Sequence, residues 1–265
     1  MNNESGRVGN MLSINCGHRG ASSEAPENTL AAFELAIRQG ATMLELDVQL
    51  SLDGYPVVIH DVTVERTTNG SGKVSEMSLE ALRALDAGAW FSEQYAGQRI
   101  PTLQEVIALA RAQNIRLDVE MKFSRGSWYP LCDAVGALID RLDFAGGCFV
   151  SSFNHRALHY FKTRFLHIPI ARLYATRAPR ERNLRFASPP CAAVFRLLVV
   201  PSLVKRIHRL GGEISVWTVD DPDEMGRFIR MGVDVIITNR PAVLQSVLDR
   251  FASETEPLVP IDEDD

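Results

Sequence analysis

The chain has 265 residues, of which 46% are hydrophobic and 23% are charged, and its formal net charge is -5. This composition is typical of a globular protein with a sizeable core. Residues 253–265 contain six acidic side chains and no basic ones, so the rest of the chain is nearly neutral. Because the chain outside this segment is nearly neutral, it lacks the overall basic charge that indicates nucleic-acid binding.

Apolar, β-rich runs recur along the chain and alternate with helical patterns. The predicted strands cover residues 12–17, 42–50, 115–121, 148–153, 168–174, 192–198, 213–219 and 234–238. The predicted helices cover residues 29–39, 103–113, 128–142, 155–165, 201–210, 222–231 and 241–251. This alternation over roughly 250 residues predicts an α/β fold, the (β/α)8 TIM barrel. A doubly wound open sheet is the alternative. The pattern is weakest in the sixth strand–helix unit, because a polar, irregular segment precedes its strand.

Residues 51–100 interrupt this alternation. They contain Asp-Gly and Asn-Gly turn signals, a short strand over 56–60 and a short helix near 78–85. In a barrel this segment is a small insertion after strand two, at the end of the strands where active sites lie. We therefore expect one barrel over 12–252, with this insertion, followed by an acidic tail over 253–265.

No segment indicates export or a membrane anchor. The first ten residues lack the basic-then-apolar order of a signal peptide, and the longest apolar run, 192–200, contains Arg196. The four cysteines are far apart and form no CxxC pair, which predicts reduced thiols. We expect a cytoplasmic protein without membrane contact. The sequence leaves the oligomeric state open.

Two predicted strands carry acidic residues on one face. Side chains two apart in a strand point the same way, so Glu45 and Asp47 face the barrel axis, as does Glu120. Three close carboxylates repel each other. One divalent cation, Mg²⁺ or Ca²⁺, would resolve the repulsion, since both ions prefer oxygen ligands. The alternative is ordinary ion pairing with Arg19 and Lys122.

Two histidines end apolar strands near this acidic cluster. His18 follows the first strand and His60 follows the short strand of the insertion, which makes them a candidate acid/base pair. Arg19 offers a fork of donors suited to phosphate, and Lys122 adds a second positive charge. This inventory is typical of phosphoryl transfer. Neither GxGxxG nor GxxxxGK[ST] occurs in the chain.

Several short motifs together resemble the glycerophosphodiester phosphodiesterase family. They cover nearly the whole chain from Ile14 to Arg250 and occur in the order found in that family. The motifs are HRG (18–20), PENT (26–29), ELD (45–47), DGYPVVIHD (53–61), EMK (120–122), SSF (151–153), VWTVDDP (216–222) and GVDVIITNRP (232–241).

The resemblance implies a (β/α)8 barrel that hydrolyses glycerophosphodiesters to sn-glycerol 3-phosphate and an alcohol. It implies that Glu45, Asp47 and Glu120 bind the metal and that His18 and His60 transfer protons. The partner is then a small-molecule phosphodiester substrate.

The same motifs imply the residues that contact the substrate. Arg19 and Lys122 would hold the phosphate, and Phe153 and Trp217, near strand ends, would line the pocket. Asn28 is the predicted N-cap of the first helix. The chain departs from many relatives in having Asp rather than Asn after the VWTV run, and its sixth unit lacks their polar signature.

Two other functions are compatible with these residues. A phospholipase D-like relative would act on lysophospholipids, and the basic residues in 177–185 could then meet anionic lipid. A non-catalytic barrel would bind phosphoesters only. All candidate catalytic positions are present, which favours the enzyme.

Overall fold

The computed structural model describes residues 13–123, 128–184 and 191–255. Within these ranges, eight parallel strands form a closed barrel, because β1 pairs with both β2 and β9. The barrel strands are β1 (Ile14–His18), β2 (Met43–Leu50), β4 (Arg116–Met121), β5 (Cys148–Ser152), β6 (Ile170–Tyr174), β7 (Cys191–Phe195), β8 (Glu213–Trp217) and β9 (Val235–Thr238). Strand β3 (Pro56–Val58) pairs antiparallel with β2, outside the barrel. The predicted (β/α)8 barrel is confirmed.

Helices follow the barrel strands in chain order. They are α1 (Leu30–Arg38), α2 (Leu79–Arg83), α3 (Leu103–Gln113), α4 (Tyr129–Arg141), α5 (His155–Arg164), α6 (Glu181–Leu184), α7 (Pro201–Arg209), α8 (Pro222–Met231) and α9 (Pro241–Thr255). Among the described residues, no helix is both long and apolar enough to cross a membrane.

The alternation of side chains in β2 and β4 places the polar residues inside the barrel. Leu44 and Leu46 face outward into the core that the surrounding helices share, where both are fully buried. The parallel register sets Glu45 beside Asp118, and Asp47 beside Glu120. The acidic face predicted from the period of two therefore lies within the barrel.

Several predicted strands end earlier than expected, and two of them shape the barrel mouth. Strand β7 stops at Phe195, and residues predicted as strand form a 3-10 helix over Arg196–Leu198 instead. Helix α7 then begins at Pro201, a position in the first turn of a helix that suits proline. Strand β5 stops at Ser152, so Phe153 projects from the barrel mouth. The irregular segment before β7 also contains the short helix α6.

The insertion after β2 folds around its own small core. Val57, Ile59, Leu82 and Ile100 form part of this cluster and are almost completely buried. The predicted strand of the insertion is only three residues long, and the predicted helix is α2, capped by the Ser78 hydroxyl. A separate core lets the insertion hold a rigid position above the barrel.

The C-terminal helix enters the segment predicted as an acidic tail. Helix α9 continues through Thr255, so residues 253–255 are helical. Residues 256–265 of that predicted tail lie outside the described part of the chain. The same applies to residue 185 of the basic segment 177–185.

Candidate active site

Three carboxylates carried by the adjacent strands β2 and β4 meet inside the barrel. Glu45, Asp47 and Glu120 are buried, and each has a carboxylate oxygen within 4.8 Å of the other two. The three residues predicted as metal ligands are thus brought together. Such a cluster of oxygen donors could bind a metal ion.

The carboxylates of this cluster strongly influence each other's charge. Burial, and then the charges of Asp47 and Glu120, raise the pKa of Glu45 well above its usual value. Burial also raises the pKa of Glu120 to about 7, although Lys122 opposes this. Burial acts on Asp47 in the same direction, but Arg19 and Lys122 outweigh it and lower that pKa.

Two basic residues partly neutralise the cluster. Arg19 Nε lies 3.0 Å from Asp47 Oδ2, and Arg19 Nη1 lies 2.9 Å from Glu27 Oε1. Lys122 Nζ lies 3.1 Å from Asp47 Oδ1 and 2.6 Å from Glu120 Oε1. The ion pairs considered in the sequence analysis therefore exist alongside the convergent carboxylates.

These ion pairs leave acceptor capacity for a cation. Asp47 Oδ1 and Glu120 Oε1 are buried and accept no hydrogen bond of good geometry from the described residues, even though the Lys122 ammonium is close to both. Glu45 Oε2 accepts a bond from the Arg19 backbone N–H at 3.1 Å. Buried carboxylate oxygens without strong donors fit a hard divalent ion. The residues present therefore suit the predicted cofactor.

His18 ends β1 and lines the cavity above the cluster. Its Nδ1 lies 2.6 Å from Asn239 Oδ1, and its Nε2 lies 3.8 Å from Glu45 Oε2. An amide oxygen only accepts, so Nδ1 carries the proton in this bond. Burial, and next the Arg19 charge, lower the pKa of His18 to about 4.

His60 reaches the same cavity from the insertion. Its Nδ1 lies 2.6 Å from Asp61 Oδ1, so its Nδ1 also donates. Hydrogen bonds from Arg66 lower the pKa of Asp61 to about 2, and Arg66 also binds Glu27 through bonds of 2.8 Å. This chain of contacts fixes the insertion against the loop after β1.

The loop after β1 has a different cap from the one predicted. Thr29, not Asn28, is the N-cap of α1, since its hydroxyl accepts from the Ala32 N–H. Asn28 has a positive φ of 59° and is buried. Its Nδ2 donates to Asp47 Oδ2 at 2.8 Å. Asn28 therefore orients a carboxylate of the acidic cluster, and the helix begins one residue later.

The same loop needs glycine at position 20. Gly20 has φ of +88°, and a Cβ there would lie only 2.5 Å from the Ala32 carbonyl carbon. The glycine lets the loop fold tightly onto α1, which places Arg19 beside Asp47.

The opposite side of the cavity is apolar. The cavity has a volume of about 130 Å³, and Phe153, Leu173 and Trp217 line it together with both histidines. The Phe153 and Trp217 rings meet edge to face with centroids 5.6 Å apart. Phe153 is 46% exposed, so it lies on the rim of the cavity.

Sequence reasoning missed four residues that support the histidines. Asp61 follows His60 directly and could have been found from the pair alone. Arg66 lies five residues after Asp61 but also binds Glu27, 39 residues away. Asp220 and Asn239 are distant from His18 along the chain, so only the fold reveals their role. Asp220 accepts from Asn239 Nδ2 at 2.7 Å.

Comparison with known proteins decides the family. The model of the glycerophosphoryl diester phosphodiesterase family matches residues 18–243. The chain belongs to the glycerophosphoryl diester phosphodiesterase family. A glycerophosphodiester phosphodiesterase of Caldanaerobacter subterraneus is 39% identical over 236 residues, which cover 88% of this chain and 97% of that protein. As a member of this family, the chain is a glycerophosphodiester phosphodiesterase, as predicted.

Solved structures of family members share the barrel. A phosphodiesterase of Oleispira antarctica, solved with the product sn-glycerol-3-phosphate, superposes with a TM-score of 0.81 at 31% identity. That match covers 90% of this chain and 97% of the other. A putative family member from Silicibacter pomeroyi gives a TM-score of 0.80 at 26% identity, over 91% and 95% of the two chains.

Proposed function

We propose that the chain hydrolyses glycerophosphodiesters to sn-glycerol 3-phosphate and an alcohol, in a reaction that requires one divalent cation, Mg²⁺ or Ca²⁺. The observation that supports this most is the meeting of three carboxylates within 4.8 Å, two of which, Glu45 and Glu120, line a cavity together with two histidines. A small phosphodiester suits this cavity, because cationic side chains and apolar rings both line it. The product bound to the Oleispira protein is consistent with that substrate class.

Glu45, Asp47 and Glu120 would hold the cation. When bound, it would polarise a phosphoryl oxygen and stabilise developing negative charge. It would also relieve the mutual repulsion that raises the pKa of Glu45 and Glu120. Both effects depend on the ligands staying fixed, and Asn28 and Lys122 hold Asp47 in place.

His18 and His60 form the proton-transfer pair in this proposal. Each donates its Nδ1 proton to a neighbouring oxygen, so each directs Nε2 at the substrate as the atom that exchanges a proton. One imidazole removes a proton from the nucleophile, which is water or the glycerol 2-hydroxyl. The other, which must then carry a proton on both ring nitrogens, gives its Nε2 proton to the departing alkoxide.

The remaining residues bind the two halves of the substrate. Arg19 and Lys122 supply positive charge for the phosphate, since both lie beside the acidic cluster. Phe153 and Trp217 form an apolar wall for the alcohol half. A cytoplasmic location, a tail beginning near residue 253 and the absence of nucleic-acid or membrane partners remain predictions.

A release assay tests this proposal. The protein is incubated with glycerophosphocholine, glycerophosphoethanolamine, glycerophosphoglycerol and lysophosphatidylcholine, and sn-glycerol 3-phosphate or lysophosphatidic acid is measured. We expect glycerol 3-phosphate release that EDTA abolishes and that Mg²⁺ or Ca²⁺ restores. Release only from lysophosphatidylcholine would show a phospholipase D-like enzyme instead. Undiminished release after metal removal would refute the role of the cation.

A further inference from the structure

Two polar residues behind His18 form a hydrogen-bonded relay that ends on its ring. Asn239 follows β9, and Asp220 lies in the loop between β8 and α8. The Asp220 carboxylate accepts bonds from the Asn239 backbone N–H at 2.8 Å, from Asn239 Nδ2 at 2.7 Å and from the Thr238 hydroxyl at 3.0 Å. An ionised carboxylate can only accept, so it fixes the amide nitrogen of Asn239 on its own side.

The fixed amide then determines which nitrogen of His18 carries the proton. With its nitrogen facing Asp220, Asn239 presents its oxygen to His18 Nδ1 at 2.6 Å and to the Ser22 hydroxyl at 2.8 Å. Both neighbours must donate to that oxygen. His18 therefore holds its proton on Nδ1, and Nε2 faces the cavity with its lone pair.

We propose that Asp220 is a positioning residue that, through Asn239, sets the tautomer of His18. This inference rests on the proposed role of His18 in proton transfer. Asp220 itself touches neither the acidic cluster nor the imidazole in the contacts described above. Its influence on the reaction passes through the orientation of the Asn239 amide group.

An exchange of the two side chains distinguishes this role from a structural one. In Asp220→Asn, the new amide nitrogen would replace Oδ2 and face the amide nitrogen of Asn239, donor against donor. Rotation of the Asn239 amide relieves this contact but turns its nitrogen toward His18. Nδ1 must then accept, so the proton moves to Nε2.

The reciprocal change gives a second prediction. Asn239→Asp places two carboxylates side by side, which repel each other. In the double variant D220N/N239D, the carboxylate now at position 239 accepts from His18 and Ser22, and the amide now at position 220 donates to that carboxylate. The original tautomer returns, so the two changes should be strongly non-additive.

The first measurement is the ¹⁵N NMR spectrum of the histidine rings, with the His18 signals assigned by their loss in His18→Gln. We expect a protonated Nδ1 and an unprotonated Nε2 for neutral His18 in the parent and the double variant, and the reverse in D220N. A protonated Nε2 in the parent would overturn the proposal by itself, whether or not any variant folds.

The second measurement is turnover of glycerophosphocholine by the parent, the two single variants and the double variant. D220N should lower kcat by roughly 10²-fold or more with little change in KM, because a positioned proton-transfer group contributes about 10²–10⁴-fold. The double variant should recover most of that loss. Asp221→Asn is the matched control, since Asp221 caps α8 and an asparagine caps nearly as well.

The outcomes separate this proposal from the proposed function. Parent-like kcat together with a parent-like His18 spectrum in D220N would contradict the relay, as would a double variant no better than the worse single one. If the tautomer reverses in D220N while kcat is unchanged, the relay exists but His18 does not transfer the proton. In that case His18→Gln would also retain turnover, which refutes the proposed function at this residue.

Discussion

The two sides of the barrel mouth have opposite chemical character. The side formed by β1, β2, β4 and the insertion carries buried carboxylates, cations and imidazoles that lie close to one another, as in the ion pairs of Lys122 with Asp47 and Glu120. The side formed by β5, β6 and β8 presents Phe153, Leu173 and Trp217. The polar side is suited to stabilising charge and transferring protons, and the apolar side is suited to recognising the shape of the substrate.

This difference predicts how substitutions on each side affect catalysis. Groups that stabilise charge in the transition state lower kcat when removed, whereas groups that contact the alcohol half in the ground and transition states alike mainly change KM. The largest effects should therefore come from the acidic cluster and the smallest from regions outside the mouth.

Removal of one carboxylate from the acidic cluster should have the largest effect. Glu45→Gln, Asp47→Asn and Glu120→Gln each keep the side-chain size but remove a charged ligand. A metal ion contributes several kcal/mol to phosphoryl transfer, so kcat should fall by about 10³-fold or more. The measurement is steady-state turnover at saturating Mg²⁺ or Ca²⁺.

The exposed Glu34→Gln variant on α1 is the control for these three changes, since it removes a carboxylate outside the cavity. Turnover within a small factor of the parent in Asp47→Asn would contradict the ligand assignment.

Loss of either histidine should have the next largest effect. His18→Ala and His60→Ala should each reduce kcat by about 10²–10⁴-fold while the protein still folds and binds the cation. The double variant should lose less than the product of the two single losses, because residues that act as a unit are not additive. Cation binding that disappears with His18 would make it a ligand rather than a proton-transfer group.

Arg66 tests whether the insertion must be held against the barrel. Arg66→Met removes the bonds to Asp61 and Glu27, so His60 loses its fixed support. Misplacement of a catalytic group by about 1 Å can cost up to about 10²-fold, and we expect a loss of kcat of roughly 10-fold or more. Lys73→Met, which removes an exposed pair with Glu76, is the matched control. An unchanged kcat would show that the insertion core alone holds His60.

The ion pair between Arg66 and Asp61 makes the free energy of unfolding depend on pH. The pKa of Asp61 is about 2 in the folded chain, below the ordinary value of 3.8. Its contribution to the free energy of unfolding is therefore present above the ordinary value and is lost as the pH falls toward about 2. Urea unfolding should show a difference between the parent and Arg66→Met at neutral pH that shrinks over this acidic range. A constant difference would exclude the Asp61 pair as its cause.

Changes on the apolar side should act mainly on KM. Trp217→Ala and Phe153→Ala remove contact area worth on the order of 1 kcal/mol, or about fivefold in KM. The size of the change should differ between glycerophosphocholine and glycerophosphoglycerol, because the alcohol half differs. Leu166→Ala, at an exposed position away from the cavity, is the control. Equal losses of kcat for every alcohol would place these rings with the catalytic groups instead.

Truncation after Thr255 should have the smallest effect. The removed segment contains most of the acidic charge that the composition separates from the rest of the chain, and it follows the last described residue of α9. Melting temperature and kcat should both stay close to the parent values. A clear fall in melting temperature would mean that residues 256–265 pack on the folded part.

The same comparison explains which features were predictable from the sequence. Glu45, Asp47 and Glu120 follow from the period of two in strands, because each lies in a regular strand whose outer face is apolar. The position of the apolar side depends on where strands end, as for Phe153, which projects into the mouth because β5 stops at Ser152. The alternation of side chains in a strand can be predicted from neighbouring residues, whereas the end of a strand depends on tertiary contacts.

The supports of the catalytic groups were least predictable. Asn28 has the sequence context of a helix cap. In the structure it is buried near β2, where its side-chain amide donates a hydrogen bond to Asp47. Asn239 is more than two hundred residues from His18 along the chain, and only the closure of the barrel between β1 and β9 brings them together. Local propensity carries no information about such pairs.

The requirement for one bound cation can be tested by a calorimetric titration of the metal-free protein with Mg²⁺ and Ca²⁺, paired with turnover at each point. We expect one equivalent of a divalent cation to bind, Glu45→Gln to weaken this binding, and turnover to rise with the bound fraction. Full turnover before any cation is added, or unchanged cation binding in Glu45→Gln, would contradict the role of the three carboxylates as ligands.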